Sequence, residues 1–217
     1  MRPPILKPSA ISSLRIISAA VLTVGVGTSC STPGPQLHWV SSSTDASYAA
    51  TEVRQTDASG RPLPFKTVFP HRWNGGNDGT TYEPCTSVSN DVLTQFSLDP
   101  SSVRDSAIAD NQTARGCTWM IKDSRFSSFS QALGNAKTLD KYKASKVPAI
   151  DWLPDIQIAE RRVAVGTLGP DECSTFVLSG SAVVVTSATG DVEPPPLNEL
   201  CAKAIAFTKA TIGKIPQ

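Results

Sequence analysis

The chain has 217 residues and a formal net charge of +1; 40% of its residues are hydrophobic and only 18% are charged, a balance compatible with a globular protein. No basic stripe interleaved with aromatics occurs, which argues against nucleic acid as a partner. Ser, Thr, Gly and Pro are plentiful, the leaning of a secreted β-rich domain.

Arg2, Lys7 and Arg15 accompany an apolar run of 11 residues, Ile16 to Val26. The run is too short to hold a bilayer as a spanning helix and has the length of a signal-peptide core, so residues 1–29 are expected to be a signal peptide. Gly27, Thr28 and Ser29 then put small residues directly before Cys30. That is the arrangement a lipoprotein peptidase needs: the Cys30 sulfur takes a diacylglyceryl group and becomes the new N-terminus. Gly27 stands where a large aliphatic residue is usual, so ordinary cleavage with release of the protein is the rival expectation. Acyl chains contribute about 0.8 kcal/mol per buried methylene, and two or three of them anchor firmly. Once the leader is removed, 17 basic residues face 19 acidic ones.

Residues 30–64 read as a lipidated N-terminus and a Ser/Thr/Pro-rich tether, with Ser41 to Thr44 and Arg61 to Pro64 as its clearest stretches. Trp39 and Val40 are isolated apolar residues within it. Residues 65–217, about 150 residues, suit a single domain with its own core.

In that domain Phe65 to Phe69 alternates and predicts a short edge strand stopped by Pro70. The loop Trp73-Asn74-Gly75-Gly76-Asn77-Asp78-Gly79 predicts tight turns. It lacks the Lys and Ser/Thr of a phosphate loop, and its oxygens do not match a calcium loop even with Glu83 beyond, so a structural loop is expected. Ser87 or Ser89 caps a helix over Asn90 to Phe96 whose apolar stripe is Val92, Leu93 and Phe96. Asp99 to Ser102 turns the chain, and Cys117 to Ile121 is a strand. Trp119 shares a face with Cys117, two residues away, and is expected inside.

Arg72 to Thr80, then Tyr82-Glu83-Pro84-Cys85, then Gly116-Cys117-Thr118-Trp119 resemble a family of secreted actinobacterial lipoproteins defined by a domain of unknown function. The later Cys173 and Cys201 fit the same pattern. The resemblance runs from about Phe65 to the C-terminus. It implies an envelope location and a paired-cysteine domain, and it lends no catalytic residue.

Further along, Phe126 to Leu133 fits a helical period through Phe126, Phe129 and Leu133, while Ser-rich neighbours and the family pattern favour a strand. Thr138 to Ala144 is a short capped helix. Asp155 to Ile158 and Arg162 to Leu168 are strands. Cys173 to Leu178 and Ala182 to Thr186 form a hairpin about Ser179-Gly180-Ser181. Pro194 to Pro196 ends the sheet, and Leu197 to Lys214 is the longest helix. Its stripe of Leu197, Leu200, Cys201, Ala204, Ile205, Thr208 and Ile212 suits it to lie across a sheet. The expected fold class is α+β: an antiparallel β-sheet with flanking helices, a long C-terminal helix and two disulfides.

Four cysteines beyond Cys30 allow three connectivities. Chain order and motif grouping favour Cys85–Cys117 and Cys173–Cys201, which need the oxidising exterior that the leader implies. No CxxC pair occurs, and His38 and His71 lie outside the cysteine region, so no metal is expected. No nucleophile elbow accompanies His71, although a triad of His71 with some Ser and Asp is formally open. Glu83, Asp91, Asp171 and Glu172 are carboxylates without a motif, expected on a solvated surface. Lys141, Lys143, Lys146, Arg161 and Arg162 could meet anionic lipid or glycan, with a solvated face as the default.

The functional expectation is a non-enzymatic, lipid-anchored envelope protein that binds a protein or glycan. It needs no cofactor, and its oligomeric state is open. A carrier of lipid or a small apolar ligand, with a cavity between sheet and last helix, is the alternative. A hydrolase is the third class.

Overall fold

A computed structural model describes residues 52–122, 127–190 and 193–217, which belong to one compact unit spanning Tyr48–Gln217. The expected signal peptide, Cys30, His38, Trp39, Val40 and Phe126 lie outside the described residues. Among the described residues no helix is long and apolar enough to cross a membrane.

The strands are β1 (Arg104–Asp105), β2 (Arg115–Met120), β3 (Ser128–Asn135), β4 (Asp151–Ile158), β5 (Arg161–Thr167), β6 (Glu172–Ser179) and β7 (Ala182–Thr189). They form one seven-stranded antiparallel sheet in the order β1-β2-β3-β7-β6-β5-β4. Two meanders, β1 to β3 and β4 to β7, join along β3 and β7. The helices are α1 (Pro84–Ser87), α2 (Asn90–Gln95), α3 (Leu139–Ser145) and α4 (Leu197–Thr211), the last continued by a 3-10 turn over Ile212–Lys214. The chain leaves β3, passes through α3 and reaches the far edge of the sheet. The expected α+β class, antiparallel sheet and long last helix are all present.

Local chemistry sets these elements. Ser89 accepts a hydrogen bond from Val92 N and starts α2, and Thr138 accepts from Lys141 N and starts α3. Asp99 caps the 3-10 turn Pro100–Ser102 through Ser101 N. Ser179 pairs with Ala182, so Gly180 and Ser181 form a two-residue hairpin turn. Gly180 takes φ +57°, the left-handed value that turn asks for at its first position, and a Cβ there would sit 2.6 Å from the Gly79 carbonyl oxygen. The Phe126 to Leu133 ambiguity resolves to a strand from Ser128, whose alternating burial carries Phe129, Gln131 and Leu133 inward.

Three sequence expectations are corrected. Phe65 to Phe69 forms no strand: the Gln55 side chain donates to the Thr67 carbonyl at 2.9 Å and accepts from Thr67 N at 3.1 Å, so a side chain does the work of a ladder. Residues 52–64 do not all belong to a tether, because Leu63 is buried in the main core and Thr56 bridges Pro62. Asp57, itself buried, accepts from the Thr86 hydroxyl at 2.7 Å and ties this segment to α1. Finally, β4 begins at Asp151 rather than Asp155. It is an edge strand with a register shift between Leu153 and Ile156, and such a place tolerates Pro154. With β1 only two residues long at the other end, both edges of the sheet are blunted.

The main core lies between one sheet face and α4. Phe207, missing from the expected stripe, is its hub: its ring centroid lies 5.1 Å from Phe96, 5.2 Å from Phe129 and 6.3 Å from Trp119. Trp119 and Cys117 are both buried there, as their shared face implied. A polar thread crosses the same layer. Tyr82 Oη donates to Gln131 Oε1 at 2.6 Å, and Gln131 Nε2 donates to Thr186 Oγ1 at 2.9 Å and Thr211 Oγ1 at 3.3 Å. Leu200, Ala204, Phe207, Thr208 and Thr211 of α4 are all buried, and a cavity of about 370 Å³ lined by Phe96, Ile121, Phe129 and Lys203 lies at one end of this layer.

The disulfides are Cys85–Cys117 and Cys173–Cys201, the pairing expected from chain order. They span 32 and 28 residues, and loop-closure entropy gives each about 3.6 kcal/mol. The double variant Cys173→Ala, Cys201→Ala is expected to lose about that much stability in urea unfolding, with α4 loosened first.

Candidate functional site

Beside the Cys85–Cys117 bond lies a cluster of four charges, the buried Arg72, Glu83 and Arg115 and the partly buried Asp105. Arg72 comes from the loop before the Asn/Gly turns, Glu83 is the N-cap of α1, Arg115 opens β2 and Asp105 ends β1. Pro84 stands at the first helical position, where its missing N–H costs nothing, and Glu83 itself accepts from Cys85 N at 3.4 Å. Gly116 lets β2 approach β3, since a Cβ there would lie 2.1 Å from the Gln131 carbonyl oxygen.

The Arg72 guanidinium donates through Nη1 to Glu83 Oε2 at 2.8 Å, through Nη2 to Glu83 Oε1 at 3.1 Å and through Nε to Asp105 Oδ2 at 2.8 Å. Its Nη2 also reaches the Gly116 carbonyl at 3.3 Å and Cys85 Sγ at 3.4 Å. Arg115 Nη1 donates to Glu83 Oε2 at 2.9 Å and to the Tyr82 carbonyl at 2.8 Å. Its Nη2 and Nε hold the Thr80 and Asn77 carbonyls at 2.9 and 3.2 Å. The Trp73 ring lies against both Arg115 and Arg54, with guanidinium carbons 3.4 and 4.1 Å from its centroid.

Burial pulls the Arg72 pKa down, but hydrogen bonds and charge from Glu83 and Asp105 outweigh it and hold the group above its ordinary value. Burial pushes Arg115 down to about 10, with Glu83 opposing and Arg72 adding repulsion, so it stays charged at neutral pH. Two cations thus face two anions.

Glu83, expected on a solvated surface, is therefore one of the most buried side chains of the molecule. Its oxygens accept from two guanidinium groups and the Cys85 amide. Glu83 and the sulfurs of Cys85 and Cys117 lie within 4.8 Å of one another. That set does not suit a cation: the sulfurs are bonded to each other and two fixed guanidinium charges adjoin the carboxylate. The cluster is a structural clamp. The sequence held a trace of it, an Arg, a Glu and a Cys beside the Gly turns, but Arg115 carried no signal of burial.

The remaining candidates do not converge on one place. His71 Nδ1 meets Asp110 Oδ2 at 2.8 Å on two exposed loops, and the hydrogen bond from His71 holds the Asp110 carboxyl below its usual range. Asp91 is exposed, while Asp171 and Glu172 are half-buried. Lys143 and Arg162 both pair with Asp155, at 2.7 and 2.6 Å, and Arg162 also reaches Asp140. Arg161 clips the C-terminus, donating to the carbonyls of Leu178, Ile215 and Pro216. Of the expected cationic face, Lys141, Lys146 and Arg161 have no ion-pair partner among the described residues, and Lys146 Nζ lies over the Tyr142 ring, 5.2 Å from its centre.

Asp57 provides a pH prediction. Burial would raise its carboxyl, but hydrogen bonds from Thr86, Ser59 and Arg61 hold it well below the usual carboxylate range. The folded pKa thus lies below the unfolded value of about 3.9, so the stabilisation is complete above it and fades as pH falls toward the folded value. Thermal unfolding is expected to be level from about pH 7 to 5 and to drop below about pH 4. Asp57→Asn is expected to lose about 1–2 kcal/mol at pH 7 and to flatten that acid slope.

The family described as "Protein of unknown function (DUF3558)" matches residues 25–214, and the chain belongs to it. No curated protein matches the chain.

Proposed function

We propose that this family member is a non-enzymatic binding module on the outer face of the cell membrane, held there by lipid on Cys30 after removal of residues 1–29. The finer likeness, to secreted lipoproteins of actinobacteria, belongs to this proposal. One observation carries the binding reading. The buried acid and its guanidinium partners are engaged in holding the fold, while the sheet face opposite α4 carries clefts of about 280 and 360 Å³ on either side of Tyr142 and Lys146. A scaffold clamped at its core and open on one face suits recognition rather than turnover. The sequence adds Cys30 behind small residues and an apolar run, and two disulfides that call for an oxidising exterior.

Two measurements test it. Mass spectrometry of the exported protein is expected to show an N-terminal Cys30 carrying acyl chains; an unmodified Cys30 would overturn the anchor. Pull-down from envelope extract is expected to recover a partner in a form that His71→Ala retains. Loss of the biological effect in His71→Ala at unchanged stability would favour a hydrolase instead.

A further inference from the structure

The loop Trp73 to Gly79 holds the chain's one Asn-Gly pair, Asn74-Gly75. Asn is a thermolabile residue, and its side-chain amide is most at risk where Gly follows, since no side chain shields the Gly nitrogen. In an open chain the Gly75 nitrogen attacks Asn74 Cγ. The new C–N bond forms as the bond to Nδ2 breaks, and Nδ2 leaves as ammonia with the proton from Gly75 N. Water then opens the succinimide ring at either carbonyl and leaves aspartate or isoaspartate at position 74.

The closed loop opposes each part of that step. Asn74 Nδ2 donates to the His71 carbonyl at 2.9 Å and to the Gln112 carbonyl at 2.8 Å, and Oδ1 accepts from Gly76 N at 2.8 Å. Both hydrogens of the departing nitrogen are therefore engaged. The main chain is held as well, with Asn77 N donating to the Asn74 carbonyl at 2.9 Å. Asn135, at the end of β3, fastens the loop from the sheet. Its Nδ2 donates to the Gly75 carbonyl at 2.9 Å and to Asp78 Oδ1 at 2.7 Å, and its Oδ1 accepts from Gly79 N at 2.7 Å. Its backbone N donates to the Gly76 carbonyl at 2.7 Å. Ring closure requires the Asn74 side chain to swing onto Gly75 N, which gives up all three of its hydrogen bonds at once.

We propose that Asn74 is a latent modification site. Its amide persists while the loop is closed, converts to aspartate or isoaspartate when the loop opens, and the product keeps the loop from closing again. The partners give the reason for the last step. A carboxylate at position 74 turns oxygen rather than N–H toward the His71 and Gln112 carbonyls, so both lose their donor. Isoaspartate also adds a carbon to the main chain within the turn that Asn74 and Asn77 close. Asn77 carries the effect inward: its Nδ2 donates to the Arg72 carbonyl at 2.9 Å, and its own carbonyl accepts from Arg115 Nε at 3.2 Å. Modification of the half-buried Asn74 thus reaches the surroundings of the Arg72–Glu83–Arg115 clamp. The reaction needs only water, and its extent records how often this loop has opened. Nothing in it depends on the binding-module reading.

The test is peptide mass mapping of the full exported chain after incubation at neutral pH, with isoaspartate read by enzymatic methyl labelling. The amide-to-acid mass change at Asn74 is expected to accumulate at least about tenfold more slowly in the folded chain than in urea, a ratio set by the free energy of opening the loop. Asn135→Ala alters an exposed side chain and is expected to keep the fold while raising the folded-state rate several-fold and leaving the rate in urea unchanged. Gly75 has open space for a methyl group and does not use the left-handed region, so Gly75→Ala is tolerated and is expected to slow the reaction in folded and unfolded chains alike. Isolated deamidated protein is expected to exchange the Gly76 and Asn77 amide hydrogens faster than the parent. Equal rates at Asn74 in the folded chain and in urea would overturn the inference, and that comparison needs no variant. So would a folded Asn135→Ala chain that reacts as the parent does, or deamidated protein whose loop amides stay as protected as before.

Discussion

Glu83→Gln is expected to lower the stability of the domain by about 3–5 kcal/mol, read as a shift of the urea midpoint at constant slope. The carboxylate it removes is fully buried and is shared by Arg72 and Arg115, which are almost as inaccessible. An amide offers one acceptor in place of two charged oxygens and turns N–H groups toward a guanidinium. Two cations then face Asp105 alone. Against a typical net stability of about 5–15 kcal/mol, this single change brings the domain close to unfolding. Replacing a simple buried ion pair by apolar residues is often harmless, but here the triple variant Arg72→Met, Glu83→Leu, Arg115→Met is expected to be at least as unstable as Glu83→Gln. The two arginines also satisfy the carbonyls of Asn77, Thr80, Tyr82 and Gly116, and each orphaned acceptor costs about 1–3 kcal/mol. A triple variant more stable than the single would show that the clamp is an ordinary ion pair.

Phe207→Ala is expected to cost about 3–5 kcal/mol in the same assay. Phe207 is fully buried and in ring contact with Phe96, Phe129 and Trp119, residues of α2's C-terminal end, β3 and β2. Truncation leaves a cavity where these elements meet α4, and the Cys173–Cys201 bond restrains α4 from closing it. Phe207→Leu keeps most of the volume and is expected to lose less than about 1.5 kcal/mol. The near-ultraviolet circular dichroism of Trp119 is expected to change with Ala. An unchanged spectrum and a loss below 1 kcal/mol would mean that the core repacks freely around the gap.

Legibility followed the range of the forces involved. The caps Ser89 and Thr138, the Gly180 turn and the alternation in β5 to β7 are set by neighbours a few residues away, and the elements appear where those signals stand. Phe65 to Phe69 alternates equally well yet has no strand partner, because Gln55 takes the hydrogen bonds of Thr67. Alternation predicts readiness to pair and cannot supply the partner. Leu63 sat in a stretch whose composition read as tether, and burial against the main core decided otherwise.

The candidate site shows the same division. The sequence by itself determined the antiparallel α+β class, the grouping of four cysteines into two pairs and the inward face of Cys117 and Trp119, since these rest on local periodicity and on covalent chemistry. Only the tertiary structure decided that Glu83 is a buried anchor between Arg72 and Arg115, that Phe207 centres the core, and that a groove opens beside Tyr142 and Lys146. Those outcomes depend on contacts between residues far apart in the chain, where the cost of burying a charge or leaving a face uncovered is fixed by what the fold brings alongside it.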